Sequence, residues 1–154
     1  MKINIASNEV VHFIGIGGIG MSGLAQIMDN MGFKVQGSDL SSNKNTDRLI
    51  KSNIKVYFGH HQKNLKNTTM VVISSAIKKN NSELIKAKKK KLPIFKRGEM
   101  LANIVALKKN IVIAGSHGKT TTTSLVGNIL LESGLDPTVI NGGIINSLKP
   151  LDII

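Results

Sequence analysis

Val10-Val11-His12-Phe13-Ile14-Gly15-Ile16-Gly17-Gly18-Ile19-Gly20-Met21-Ser22 joins a short apolar run to a glycine-rich turn and then to a helical pattern. Residues 15–20 satisfy G-x-G-x-x-G directly after the run and directly before the helix, the context that gives the motif its meaning. Each glycine has a task there: a tight turn, close backbone approach to a phosphate, and close packing of helix on sheet. The start of the helix adds unpaired N–H groups and a positive dipole end, which together suit a diphosphate. Asp39 follows at the end of the next expected strand and is placed to accept from a ribose hydroxyl or a base. The fingerprint does not choose its nucleotide. NAD is the usual occupant, and the diphosphate of a UDP-sugar suits the same geometry.

Outward from this loop the chain alternates strand and helix. In the first helix Leu24, Ile27, Met28 and Met31 recur at i, i+3, i+4 and i+7, one buried face, and Gly32 sits where a C-cap belongs. Strands are expected at residues 10–14, 34–37, 54–58, 70–73 and 94–96, with helices at 46–52, 82–90 and 99–107. Ser82 or Asn81 is the expected N-cap of the helix at 82–90. Such alternation predicts an α/β fold with a Rossmann-like, mainly parallel sheet covered by helices.

At residue 108 the pattern starts afresh. Residues 111–114 read as a new strand, residues 119–133 as a helix ended by Gly134, and residues 137–140 as another strand. Between the first two lies Gly115-Ser116-His117-Gly118-Lys119-Thr120-Thr121, a P-loop ending in Gly-Lys-Thr. Backbone N–H groups of such a loop cradle phosphates, Lys119 can neutralise β/γ oxygens, and the Thr120 hydroxyl can hold Mg²⁺. The eight-residue pattern wants glycine at position 113, where this chain has Ile113, so the loop is a shortened variant beginning at Gly115. The organisation expected is therefore a Rossmann-like domain at 1–107 and, at 108–154, the first strand–P-loop–helix unit of a truncated ATPase domain.

Composition narrows the class. Mean hydropathy is +0.04 and cysteine is absent, which fits a cytoplasmic globular chain without disulfides or thiolate metal sites. No apolar run approaches a membrane span, and residues 1–11 hold Asn4, Ser7, Asn8 and Glu9 where a signal peptide needs apolar residues. The net charge of +12 is nearly all lysine, Arg48 and Arg97 being the exceptions. With aromatics at 3% and no reader motif, the run Lys86, Lys88-Lys89-Lys90-Lys91 reads as a solvated helix face rather than a nucleic-acid surface. His60-His61 follows a strand end, where a contact to ribose or a metal is one reading; without carboxylate or cysteine partners in sequence, the favoured reading is structural or exposed. His12 reads as a packed or hydrogen-bonded strand residue. His117 lies inside the second loop and either contacts nucleotide or shapes the turn. Ser74-Ser75-Ala76 lies at a strand's C-terminal end, where ligands bind in open sheets, with no paired base to make a serine nucleophilic.

Residues 11–25, Gly37-Ser38-Asp39, Ser74-Ser75-Ala76-Ile77, Arg97-Gly98-Glu99-Met100-Leu101, residues 115–123 and Asn141-Gly142-Gly143 together resemble the Mur ligase family, in order and spacing over about residues 10–147. Where that family often has Asn-Pro-Glu this chain reads Asn81-Ser82-Glu83, a harmless exchange at an N-cap. The resemblance implies peptidoglycan precursor synthesis: ATP and Mg²⁺ activate the carboxylate of UDP-N-acetylmuramate as an acyl phosphate, which the amine of L-alanine attacks. It implies that Gly15, Gly17, Gly18, Ile19, Gly20, Met21 and Ser22 face the UDP diphosphate and that Ser38 and Asp39 lie near uridine. It further implies that residues 115–121 bind ATP, with Lys119 and Thr120 in catalytic roles. Members continue through a Glu-rich magnesium segment, a lid and an amino-acid-binding domain, and residues 149–154 fit the family poorly. A fragment inactive alone is the resulting expectation. The competing reading is a nicotinamide-dinucleotide-binding oxidoreductase or ligand-sensing domain, which leaves Gly-Lys-Thr unexplained.

Overall fold

The computed structural model describes residues 9–141. Gly142, Gly143, residues 149–154 and most of the amino-terminal stretch read above lie outside them. The chain divides into two compact units, Met1–Lys108 and Lys109–Ile154.

The first unit is an α/β layer structure. Its strands are β1 (Val10–Ile14), β2 (Lys34–Asp39), β3 (Lys55–Phe58), β4 (Met70–Ile73) and β5 (Ile94–Lys96). They form one five-stranded sheet in the order β3-β2-β1-β4-β5, and every pairing is parallel. The helices are α1 (Ile19–Asn30), α2 (Lys44–Lys51), α3 (Ser82–Lys89) and α4 (Arg97–Val105), with a short 3-10 helix at Gln62–Leu65. Strand order reverses between β1 and β4, which opens a crevice at the C-terminal edge of the sheet.

Alternation along β1 sends Val11 and Phe13 to one face and His12 and Ile14 to the other, all fully buried because both faces are covered. Ile14 packs with Leu65, Val71, Leu84 and Ala87 under α3. On α1 three residues of the predicted stripe are buried, Leu24, Ile27 and Met28 at 6% exposure or less, while Met31 is only half-buried because the helix ends before it and it forms the C-cap. Burial extends further round, to Ser22, Gly23 and Gln26, because α1 meets β2, α2 and α4. At its C-terminal end Gly32, at φ +89, takes the left-handed conformation that closes a helix.

One contact makes β2 intolerant of change. A Cβ on Gly37 would stand 2.6 Å from Ile16 Cδ1 and 2.7 Å from the Phe13 carbonyl oxygen of the neighbouring strand. A backbone atom in a central ladder cannot step aside. Gly37→Ala should therefore lose about 1–3 kcal/mol of stability, read as a lower urea midpoint with unchanged slope; a midpoint equal to wild type would refute the steric argument.

The second unit contains α5 (Lys119–Glu132), preceded by the loop of residues 115–118. The strand expected at 111–114 is not formed. Ile111 and Val112 are 65% and 76% exposed, and a strand exists only by its ladder, for which no neighbour lies among the described residues of this unit. At 137–140 there is a single bridge residue, Val139, in place of a strand.

Candidate nucleotide-binding site

The first glycine loop turns over the C-terminal end of β1 beside the turn that follows β4. A Cβ on Gly15 would come within 3.1 Å of Ser74 Cβ, so the two turns wall the crevice together. Several of the loop's N–H groups are already bonded. Gly15 and Ile16 donate to the Ser38 carbonyl at 2.8 and 3.0 Å, Gly18 donates to the Gly15 carbonyl at 3.4 Å, and Met21 and Ser22 donate to the Gly18 carbonyl. Gly17 donates to Asp39 Oδ2 at 2.7 Å. Ile19 and Gly20, the first two residues of α1, are left, since an α-helix offers no internal acceptor to its opening amides.

This revises the picture of seven loop residues facing a diphosphate. Gly15, Gly17 and Gly18 shape the turn, and Ile19 and Gly20 carry the amides left for an anion. Met21 and Ser22 are buried, and the Ser22 hydroxyl donates back to the Ile19 carbonyl at 3.0 Å. They offer the crevice no polar group.

Arg97 supplies what sequence inspection missed. It opens α4 at the end of β5, and its guanidinium lies 3.0–3.3 Å from where a Cβ on Gly20 would be. Among the described residues it has no ion-pair or hydrogen-bond partner. A cation held against the positive end of α1 is unfavourable until an anion lies between them. Its signals in the sequence were its place in the Arg97-Gly98-Glu99-Met100-Leu101 motif, to which no ligand role was given, and its being one of two arginines among lysines; a planar fork suits phosphate better than a point charge does.

Asp39 closes β2 with both oxygens engaged, Oδ2 by Gly17 and Oδ1 by the Leu40 amide at 2.8 Å. A carboxylate accepts at about four lone-pair positions, so a ribose hydroxyl can still bond there. Ser38 is fully buried and its hydroxyl donates to Glu83 Oε2 at 2.5 Å, which removes it from direct contact with ligand.

That bond belongs to a buried polar cluster that the sequence did not disclose. Glu83, fully buried, also accepts from Asn64 Nδ2 at 2.6 Å, the His61 amide at 3.2 Å and His12 Nε2 at 3.3 Å. His60 Nδ1 lies 3.5 Å from Glu83 and 2.8 Å from Ser38 Oγ. Burial pushes the Glu83 carboxyl up, but the bonds from His12, Ser38 and Asn64 outweigh it, leaving the group below its ordinary value. Asn81 proves to be the N-cap of α3, accepting from Glu83 and Leu84 amides at 2.9 and 3.1 Å. Ser82 then does more than replace a proline: its hydroxyl donates to the His60 carbonyl at 2.5 Å.

In the second unit Gly118, at φ +75, is the left-handed N-cap of α5. Ser116, His117, Gly118, Lys119, Thr120 and Thr121 are all exposed. Thr122 makes the first bond back to the Gly118 carbonyl at 2.9 Å, so the amides of Lys119, Thr120 and Thr121 stand at the helix opening. Lys119 Nζ curls onto the loop, donating to the carbonyls of Gly115 at 2.5 Å and Ser116 at 3.1 Å. Among the described residues no group of three or more His, Cys, Asp or Glu could hold a metal ion.

A parallel sheet with a glycine loop at its switch point defines a Rossmann-like α/β protein. The model of the Mur ligase family catalytic domain matches residues 10–109, and the chain belongs to the Mur ligase family. It is 64% identical over 149 residues to the UDP-N-acetylmuramate–L-alanine ligase of Pelagibacter ubique (strain HTCC1062), covering 97% of this chain and 32% of that protein. The chain thus spans about a third of the length of that relative. The solved UDP-N-acetylmuramate–alanine ligase of Thermotoga maritima is similar at a TM-score of 0.79 and 33% identity, over 90% of this chain and 33% of that one. The UDP-N-acetylmuramate:L-alanyl-γ-D-glutamyl-meso-diaminopimelate ligase of Neisseria meningitides is similar at a TM-score of 0.82 and 29% identity, over 96% and 47%. No helix among the described residues is long and apolar enough to cross a membrane.

Proposed function

We propose that this chain carries the UDP-sugar site and the ATP loop of a cytoplasmic ligase that joins L-alanine to UDP-N-acetylmuramate in peptidoglycan precursor synthesis. The observation that carries the reading is the Arg97 guanidinium, unpaired among the described residues, beside the opening amides of α1. Together they form a cationic seat for a diphosphate at the sheet's switch point. Ile19 and Gly20 amides and Arg97 would grip the diphosphate, and Asp39 would take a ribose hydroxyl. Binding the UDP tail away from the reacting carboxylate contributes positioning that the chemical step can use.

We assign residues 115–121 to ATP. The exposed loop, the open α5 amides and a lysine within reach fit a triphosphate. ATP, when bound, supplies the phosphoryl group that activates a carboxylate. Lys119 would exchange its two carbonyl acceptors for phosphate oxygens. Thr120 would offer one hydroxyl oxygen to Mg²⁺, whose remaining ligands would be phosphates and water. We place the change from one function to the other near residue 108.

Calorimetric titration of the full chain tests the first site. UDP-N-acetylmuramate should bind and NADH should not, and Arg97→Gln should weaken UDP-N-acetylmuramate about tenfold or more while leaving the thermal midpoint unchanged. Tighter NADH than UDP-sugar binding would instead favour a nicotinamide protein.

A further inference from the structure

The cluster around Glu83 settles where its protons lie. Gln36 Nε2 is 3.0 Å from the Asn64 carbonyl oxygen, which can only accept, so the amide group of Gln36 faces that way. The same nitrogen, which also donates to Thr68 Oγ1, lies 3.2 Å from His12 Nδ1; an N–H there would face it donor to donor, so Nδ1 carries no proton and the His12 proton lies on Nε2 toward Glu83. Asn64 is oriented likewise by the Gly59 carbonyl, at 3.1 Å, and turns its NH₂ to Glu83 Oε1. With Glu83 ionised, the proton in the 2.5 Å contact belongs to the Ser38 hydroxyl. Ser38 has only one. Its oxygen, 2.8 Å from His60 Nδ1, has nothing left to donate, so His60 must bring the proton on Nδ1.

Two histidines around one carboxylate are thus held in opposite tautomers. The consequence falls on His60, whose Nε2 has no partner among the described residues and whose side chain keeps 11% of its surface open. The residue follows β3, and the Gly59 amide before it donates to the Asp39 carbonyl at 2.7 Å, so His60 stands on the same sheet edge as the nucleotide loop. Its backbone is pinned on both sides by Ser82 and by the His61–Glu83 bond.

We propose that Glu83, acting through Ser38, is a positioning residue that fixes His60 as its Nδ1–H tautomer and so presents Nε2 as an acceptor for a donor group of the bound uridine nucleotide, either the uracil imide N–H or a ribose hydroxyl. This rests on the UDP-sugar reading of the site. It also explains how a buried Ser38 bears on uridine: by way of the imidazole, never directly.

Two measurements decide it. Long-range ¹⁵N–¹H spectra of the full chain at pH 8.5 should show His60 as Nδ1–H and His12 as Nε2–H, with assignments from His60→Phe and His12→Gln. Ser38→Ala should release His60 toward the Nε2–H form that free imidazole side chains favour. A His60 already in the Nε2–H form in the unmodified chain overturns the lock. By calorimetry, His60→Phe, which keeps a ring and removes the acceptor, should weaken UDP about tenfold, and His60→Gln, whose amide oxygen accepts, should recover part of the loss. Equal losses for UDP and CDP point to a ribose hydroxyl, and a loss confined to UDP points to the imide N–H that cytosine lacks. Unchanged UDP affinity in His60→Phe overturns the acceptor role. An unmodified chain that ignores UDP defeats the UDP-sugar reading and the acceptor role with it, while the spectra still decide the tautomer.

Discussion

Replacing Glu83 with alanine should destabilise the first unit by about 3–5 kcal/mol, a large part of the 5–15 kcal/mol that typically separates a folded domain from its unfolded chain. The size of the effect comes from the groups left behind. Ser38 Oγ, Asn64 Nδ2, His12 Nε2 and the His61 amide all donate to this one carboxylate; Ser38 and His12 would be left without that acceptor in the interior, and Asn64 would keep only its bond to the Gly59 carbonyl. Three of those donors come from β1, β2 and the 3-10 helix, so the loss is felt across the sheet. Glu83→Gln keeps the shape and one accepting oxygen, and should lose about 2 kcal/mol. Urea denaturation at pH 7 reads both. Stability should also depend on acid. The folded carboxyl titrates below its ordinary value of 4.5, so its contribution is complete above that value and fades as the pH falls through the lowered one. Glu83→Gln should flatten that part of the stability–pH curve. An alanine variant within 1 kcal/mol of wild type would show that water satisfies these donors as well as the carboxylate does.

Why this cluster was hidden while the sheet was not follows from how each is encoded. β1 and β4 begin and end where the apolar runs do, because a parallel strand buried on both faces reads as a continuous hydrophobic segment. Helix starts were less legible. α2 begins at Lys44 because the Asn43 side chain accepts from the Asn45 and Thr46 amides, and α4 begins at Arg97 because Glu99 reaches back to the Lys96 amide at 2.8 Å. Both caps lie ahead of the first apolar residue, where periodicity is silent. The Glu83 contacts run to 45 and 71 residues away in sequence, so no local pattern announces them. The exchange of proline for Ser82 looked neutral because a hydroxyl's partner, here the His60 carbonyl, cannot be read from its neighbours in the chain. The glycine loop was legible as a motif, but its division of labour was not. Which amides remain for an anion depends on Asp39 and the Ser38 carbonyl, placed by strand pairing between β1 and β2.

Lys119→Ala should lower the affinity of the full chain for MgATP about tenfold to a hundredfold, the worth of one or two charge-assisted bonds. Lys119 already sits at the loop with its ammonium on the Gly115 and Ser116 carbonyls. Those are neutral acceptors in contact with water, and a triphosphate oxygen carrying full charge is the better partner, so moving the ammonium to phosphate releases little that is hard to replace. The helix-opening amides of α5 remain in the variant and should retain a residual affinity. Because the loop is exposed, removing the side chain should leave the thermal midpoint and UDP affinity as they are, which separates loss of a phosphate contact from loss of the fold. Lys119→Arg should recover part of the binding, since the charge survives while its geometry changes from a point to a plane. Titration with MgATP and with ATP in chelator measures both contributions, and Thr120→Ala should erase the difference between the two. An alanine variant that binds MgATP as tightly as wild type would remove these residues from the nucleotide site.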